Sequence, residues 1–455
     1  MPSSMEPRAI APAWSAGGEA VNSHFGTRAM GVGDVNGDGY GDLIVGAPGF
    51  DSNRGKVYVY CGGPHGLSDK PCWAMQGEHV GDQFGDRVGQ AGDVNGDGYA
   101  DVFVSAPSYQ GGLGRCEVYL GGKKGLKKKA DWSVSPRSGA QQFGDCTHPT
   151  GDVNGDGYDD LLVGAYQALS SAGRALLYLG GPQGLSPVAA WEGKGEAESD
   201  QYGYTLGSAG DFDGDGYGDI LLGAKFHDPS AELKMKAKAM ATAGKAYFYP
   251  GSAQGPKPLA WTALGSERGA QFSVRGYGVG DLDGDGHPEL LISEPGADEG
   301  WGAVHIYSSP GFRLRWTLRG KDLGVNDFGR AAGPAGDLNG DGYDDLVIAG
   351  RQRDQGKVFV FLGGPAGLAA KPAFQISSGT DKGGYGSWVA PAGDLDGDGL
   401  DDLVIGAEIS SETLSLGGKV YVFYGRQARA ASPNRSIKQG KKRLNVYLPL
   451  SKRPR

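Results

Sequence analysis

Seven times along the chain the residues run Asp-x-Asn/Asp-Gly-Asp-Gly-x-x-Asp/Glu, starting at Asp34, Asp93, Asp152, Asp211, Asp281, Asp337 and Asp394. The starts lie 59, 59, 59, 70, 56 and 57 residues apart. A period in this range marks a stack or ring of supersecondary units, none of which can bury its apolar face alone. One such loop would say little, because Asp, Asn and Gly are ordinary turn residues. Seven in register say more. Oxygen donors at positions 1, 3, 5 and 9 of a glycine-kinked loop are what a hard cation such as Ca²⁺ requires.

In the first loop the expected ligands are the side chains of Asp34, Asn36, Asp38 and Asp42 and the backbone carbonyl of Tyr40, with Gly37 and Gly39 permitting the crowded backbone. The same positions are filled by Asp93, Asn95, Asp97, Tyr99 and Asp101, and then by Asp152, Asn154, Asp156, Tyr158 and Asp160. The fourth loop offers Asp211, Asp213, Asp215, Tyr217 and Asp219. The sixth offers Asp337, Asn339, Asp341, Tyr343 and Asp345, and the seventh Asp394, Asp396, Asp398, Leu400 and Asp402. The fifth departs from the pattern: after Asp281, Asp283 and Asp285 come His287, Pro288 and Glu289, and the longer acid changes the loop geometry. The four-Asp loops at Asp211 and Asp394 are expected to bind more tightly than the Asn-bearing ones. An EF-hand needs its bidentate acid at position 12. Here Val45, Val104 and Val163 stand there, inside apolar runs, so the pattern is a hairpin loop closed by the acid at position 9. Asp159, Asp344 and Asp401, at position 8, read as bystanders on the solvent side. Up to seven structural Ca²⁺ ions are expected.

Each unit carries four strand-like pieces. In the second these are a segment from Phe84-Gly85 into the loop, the apolar run 101–105, residues 115–120, and a piece containing Trp132. Four short antiparallel strands per 40–60 residues make a propeller blade. An aromatic stands nine residues before every loop (Phe25, Phe84, Phe143, Tyr202, Phe272, Phe328, Tyr385), and a fourth-strand marker at Trp73, Trp132, Trp191, Trp261, Trp316 and Phe374. These aromatics read as core. Trp14 is a fourth-strand marker with no blade before it, while the repeat stops after a third strand near 419–424. The expected fold is therefore all-β: a seven-bladed β-propeller with four-stranded antiparallel blades, the N-terminal strand closing the last blade. Such a clasp leaves no open sheet edge.

The net charge of −9 looks like a surface property until it is located: 24 of the 53 acidic residues lie in the loops. Seven divalent ions would reverse its sign, so the acidity says nothing about an acidic interaction surface. No apolar stretch is long enough to span a membrane, and Met1 to Trp14 shows no secretory h-region. Of the four cysteines, Cys61 and Cys72 flank an expected hairpin turn; a cross-strand disulfide and two free thiols are both open. The longest spacing places an insertion at residues 226–243, where Asp228-Pro229 suits a short helix and the alternation from Leu233 suits a strand; the choice stays open. Residues 426–455 carry ten Lys or Arg and no acid, and read as a solvated extension beyond a propeller at 8–425. Outside that extension the only basic cluster is at residues 123–129, so no nucleic-acid partner is expected.

The Phe84-Gly85 opening, the Gly46-Ala47-Pro48 after a second strand and the acidic loop resemble the FG-GAP repeats of integrin α-subunit N-terminal propellers and of many bacterial surface proteins. The tripeptide decays to Gly164-Ala165-Tyr166 and Ala349-Gly350-Arg351. The resemblance spans roughly residues 8 to 425 and implies Ca²⁺ in hairpin loops on one face. Integrins carry such loops in only some blades, so a loop in all seven resembles the bacterial type. Implied too is an extracellular or cell-surface monomer that binds a protein or glycan on the face opposite the metal loops. The alternatives are a polysaccharide-lyase-like enzyme and a ligand-free scaffold. Neither G-x-S-x-G nor H-E-x-x-H occurs, and no catalytic residue is assigned.

Overall fold

The computed structural model describes residues 11–136, 141–230, 232–233, 241–353, 355–377, 384–410 and 416–426. They form seven four-stranded sheets, every pairing antiparallel. Blade 1 is Ala29–Gly31, Leu43–Ala47, Lys56–Tyr60 and Trp73–Gln76, in that spatial order. Blade 7 is Tyr385–Gly393, Asp402–Ala407 and Lys419–Phe423, completed by Trp14–Gly17 pairing with the last of these. The N-terminal strand thus closes the ring.

In six blades the second strand is buried from end to end, as its unbroken apolar run requires, while that of blade 6, Asp345–Gln352, ends in the exposed Arg351 and Gln352. The core lies between blades. Val404, Val420 and Val422 of blade 7 share one cluster with Val45 and Tyr58 of blade 1. Four of the fourth-strand tryptophans explain their own spacing: each reaches to a tyrosine on the third strand of the following blade, edge to face. Trp73 meets Tyr119, Trp132 meets Tyr178, Trp191 meets Tyr249 and Trp261 meets Tyr307, with ring centroids 5.1–5.3 Å apart. Trp14 makes the same contact with Tyr60 at 4.9 Å, across the closure. Such pairs contribute roughly 0.5–1.5 kcal/mol each beyond their burial. Two markers are exceptions: Trp316 precedes a third strand that ends in Phe361 and makes no such pair among the described residues, and Phe374 lies exposed.

In five blades the opening aromatic precedes the first strand instead of starting it. Phe25 is buried in a turn, and Gly26 follows with φ +84 and donates its N–H to the Gly46 carbonyl at 2.9 Å. A Cβ on Gly26 would come within 2.6 Å of Val420 on blade 7. Both the left-handed backbone and the neighbouring blade therefore demand glycine there.

Cys61 and Cys72 are joined, clasping the third-to-fourth-strand turn of blade 1. A loop this short still restricts the unfolded chain, worth about 2–3 kcal/mol in the chain-entropy picture. The double variant Cys61→Ser/Cys72→Ser is expected to melt several degrees lower with calcium response intact, as differential scanning calorimetry would show. Cys116 and Cys146 are free. In the insertion, residues 231 and 234–240 lie outside the described residues, and with them the choice between helix and strand; 427–455 lie outside as well. At its base His227 is buried between Asp200 (3.0 Å) and Glu232 (2.5 Å), and Lys245 bridges Glu196 and Glu232.

Candidate metal centre

All seven loops join first to second strands and therefore emerge on one face of the ring. Within each, the backbone organises the oxygens. Asp34 accepts hydrogen bonds from the N–H groups of Gly37 (2.6 Å) and Gly39 (2.7 Å), Asn36 accepts from Asp38 (2.9 Å), and Asp38 from Tyr40 (3.1 Å). These bonds hold carboxylates of one sign close together, an arrangement that a cation would relieve. In loops 4, 5 and 7 at least three acids place an oxygen within 4.8 Å of one another: Asp211, Asp213 and Asp219; Asp281, Asp283 and Asp285; Asp394, Asp396 and Asp398.

The ninth-position acid is the anchor. Asp42, Asp101, Asp160, Asp219, Glu289, Asp345 and Asp402 are all fully buried. In the second loop Asp101 accepts from Val94 N–H (2.9 Å) and, with its other oxygen, from Gly121 N–H (2.8 Å) in the third-to-fourth-strand turn. Five other blades repeat this pair of bonds, for example through Asp160 to Val153 and Gly180 and through Asp402 to Leu395 and Gly425. Burial, opposed by those backbone bonds and reinforced by the neighbouring loop acids, pushes these carboxyls up: Asp101, Asp160, Asp345 and Asp402 to about 7, Asp42 and Asp219 to about 6.

Blade 5 keeps only half of the anchor. Glu289 accepts from Leu282 N–H at 2.9 Å, but its Oε1 is buried without a partner, as is Oδ1 of Asp283. Burial, again with the loop acids, raises Glu289 to about 7. Buried orphan oxygens are costly, and here they lie with two further acids, Asp281 and Asp285. The longer side chain at position 9 has therefore not emptied the site of donors.

The position-8 acids are not bystanders. Asp159 accepts from the N–H of Asp93 (2.8 Å), Asp344 from Asp281 (2.9 Å) and Asp401 from Asp337 (2.9 Å), so each braces position 1 of the preceding blade's loop. The backbone does the same nearly all round. Position 8 donates its N–H to the position-1 carbonyl of the preceding loop through Gly41, Ala100, Asp159, Gly218, Asp344 and Asp401. Proline at 288 has no N–H, so the junction of blades 4 and 5 lacks this bond. The position-7 tyrosines add packing: a Cβ on Gly37 would lie 2.5 Å from the Tyr99 ring. The loops are thus linked at six of the seven junctions, which single-loop reading of the sequence misses. Asp344→Ala is expected to cost about 1–2 kcal/mol and to weaken cation binding in loop 5, the loop it braces, more than in its own; isothermal titration against the parent protein checks this.

The FG-GAP repeat family description matches residues 25–60, 149–178, 202–249 and 278–307, and the FG-GAP-like repeat description matches 93–163 and 337–405. Together they span more than half of the chain. The chain belongs to the FG-GAP repeat family. This FG-GAP propeller is 38% identical over 164 residues to human integrin alpha-IIb, a match covering 33% of the chain and 16% of that protein. It is 30% identical over 212 residues to integrin alpha-V of Gallus gallus, covering 43% and 20%. With integrin alpha-PS5 of Drosophila melanogaster the figures are 33% over 202 residues, 42% and 19%. The matches thus take in a fifth or less of these relatives. Among solved structures, the exotype rhamnogalacturonan lyase YesX aligns with TM-score 0.46 and 14% identity over 91% of this chain and 76% of its own. Bacillus licheniformis rhamnogalacturonan lyase PL11 aligns with TM-score 0.47 and 13% identity, over 93% and 75%. Among the described residues of the FG-GAP propeller no helix is long and apolar enough to cross a membrane.

Proposed function

We propose that this FG-GAP propeller is an extracellular, calcium-stabilised binding module that recognises a protein or glycan without turning it over. The observation that carries the reading is the repeated anchor: in every blade a fully buried acid closes a loop of oxygen donors on one face. Such sites would be largely empty in a low-calcium cytosol and filled at millimolar Ca²⁺. The loop acids named above, with the position-7 carbonyls, would hold the ions, whose work is to neutralise clustered charge and to fix the blades. That leaves the opposite face, where second-to-third-strand and blade-to-blade connections emerge, for ligand. The similarity to integrin α subunits supports adhesion as the class of activity.

The test is retention of the purified chain on a glycan array and on a panel of surface proteins, in millimolar Ca²⁺ and in chelator, alongside a variant deleted for residues 228–243. Calcium-dependent retention that the deletion alters, with folding preserved, supports the reading. Turnover of a uronate polysaccharide, or no retention by folded protein on either panel, would overturn it.

A further inference from the structure

The first strands line the axis. Three residues after each opening aromatic stands one residue at the channel, on the face away from the metal loops: Arg28, Arg87, Cys146, Thr205, Arg275, Ala331 and Trp388 in blade order. Three of the seven are arginines. Arg87 is neutralised by Asp86 and by Asp145 at 2.7 Å. Arg28 and Arg275 are not. Each gives one N–H to its neighbour's carbonyl (Thr27, 2.8 Å; Val274, 3.1 Å), and neither meets a carboxylate within ion-pair distance among the described residues. Nε of Arg275 is buried with no partner. Both guanidiniums lie over the Trp388 ring, 4.3 and 5.2 Å from its centroid. Burial above all, and then the charges of Arg87 and Arg275, push Arg28 down to about 9 against the opposing pull of Asp86.

Above this pair a cavity of about 240 Å³ opens, ringed also by Lys225, Arg330 and Arg351; among the described residues two acids face it, Asp327 and Glu408. A protein of net charge −9 has gathered five cations round one hollow. Arg28 and Arg275 are half-buried, so charge left there without a carboxylate is partly desolvated and costly, and guanidinium forks match planar carboxylates in geometry. Below, the channel widens to about 430 Å³ and turns apolar, lined by Met30, Val88, Phe103, Tyr277 and Pro334.

We propose that this central cavity binds an acidic peptide segment, a glutamate or aspartate carboxylate lying between Arg28 and Arg275 and an adjacent apolar side chain entering the channel beneath. The aromatic faces argue for peptide over sugar. The Trp388 ring is already stacked by the two guanidiniums and that of Tyr204 by Lys225, whose Nζ lies 3.3 Å from its centroid. Neither is left as a platform for a pyranose. The cavity therefore selects charge first. The sequence signal was present in the shared register of Arg28, Arg87 and Arg275, and becomes meaningful only when the blades close into a ring.

The proposal rests on the reading that this face meets the ligand. It is tested on the full chain in millimolar Ca²⁺ and about 0.15 M salt, where weak surface attraction is screened, using a labelled hexapeptide alternating glutamate and leucine. The expected result is saturable one-to-one binding, weakened about tenfold or more by Arg275→Gln or Arg28→Gln and unchanged by Lys124→Gln on an exposed turn. Arg275→Gln should melt no lower than the parent, because it removes crowded charge; a merely structural arginine would behave oppositely. Equal binding of the glutamine-for-glutamate peptide, or absence of saturable binding, overturns the proposal. So does binding of trigalacturonate, but not of the peptide, that Arg275→Gln abolishes. Failure here with ligand retention by the whole protein intact would remove the cavity assignment and leave the binding-module reading standing.

Discussion

Chelation of calcium is expected to lower the melting temperature by on the order of 10–20 °C, the largest single effect available without changing the sequence. With dissociation constants of about 10⁻⁴ M, typical of extracellular modules, each site at about 1 mM Ca²⁺ stabilises the folded chain by roughly 1.4 kcal/mol. Seven such sites approach about 10 kcal/mol, comparable to the net stability of a whole domain. The loops are also coupled. Position 8 of one loop holds position 1 of the loop before it, through backbone at six junctions and through Asp159, Asp344 and Asp401 at three. Unfolding in chelator should accordingly be broader or multiphasic, starting where Pro288 leaves blades 4 and 5 without that bond. Hydrogen exchange in chelator would show that seam opening first. Melting that chelator leaves unmoved would remove the stabilising role given to the ions.

The second expectation is an inversion of pH dependence. The ninth-position carboxyls are raised by burial to about 6 or 7, well above the usual value of an exposed Asp or Glu. Between about pH 4 and 7 the folded, metal-depleted chain therefore holds protons that the unfolded chain has released. Raising the pH through this window withdraws stability from it. Even one effective unit per site is about 1.4 kcal/mol, so seven sites make a large change. Calcium reverses the sign, since an ion must displace those protons to reach the carboxylates. In chelator the protein should melt higher at pH 5.5 than at pH 7.5; in millimolar Ca²⁺ it should melt higher at pH 7.5. The same order of melting points in both buffers would mean that these acids and the ion do not share a site.

Much of the molecule was legible because each blade restates the same local rules. The loop motif, the buried second strand and the tryptophan spacing are properties of one repeat, and seven copies remove the ambiguity of any single one. The lone Trp14 even placed the closing strand, since a marker without a blade must complete another. What stayed hidden belongs to neighbours. Asp159 looked solvent-facing within its own loop and braces the loop before it in the ring. Arg28 and Arg275 are more than two hundred residues apart in the chain, yet share one indole. The insertion at 226–243 gave no single answer because its anchors, Asp200, Glu196 and Lys245, come from outside it.

The most direct test of the metal reading is the number of calcium ions retained per chain, by equilibrium dialysis at about 1 mM Ca²⁺ with elemental analysis of the protein, repeated on Asp101→Ala. The expected count is close to seven, falling by about one in the variant. A count of zero or one on folded protein, or a count indifferent to the loss of Asp101, would contradict the assignment of the loops as metal sites.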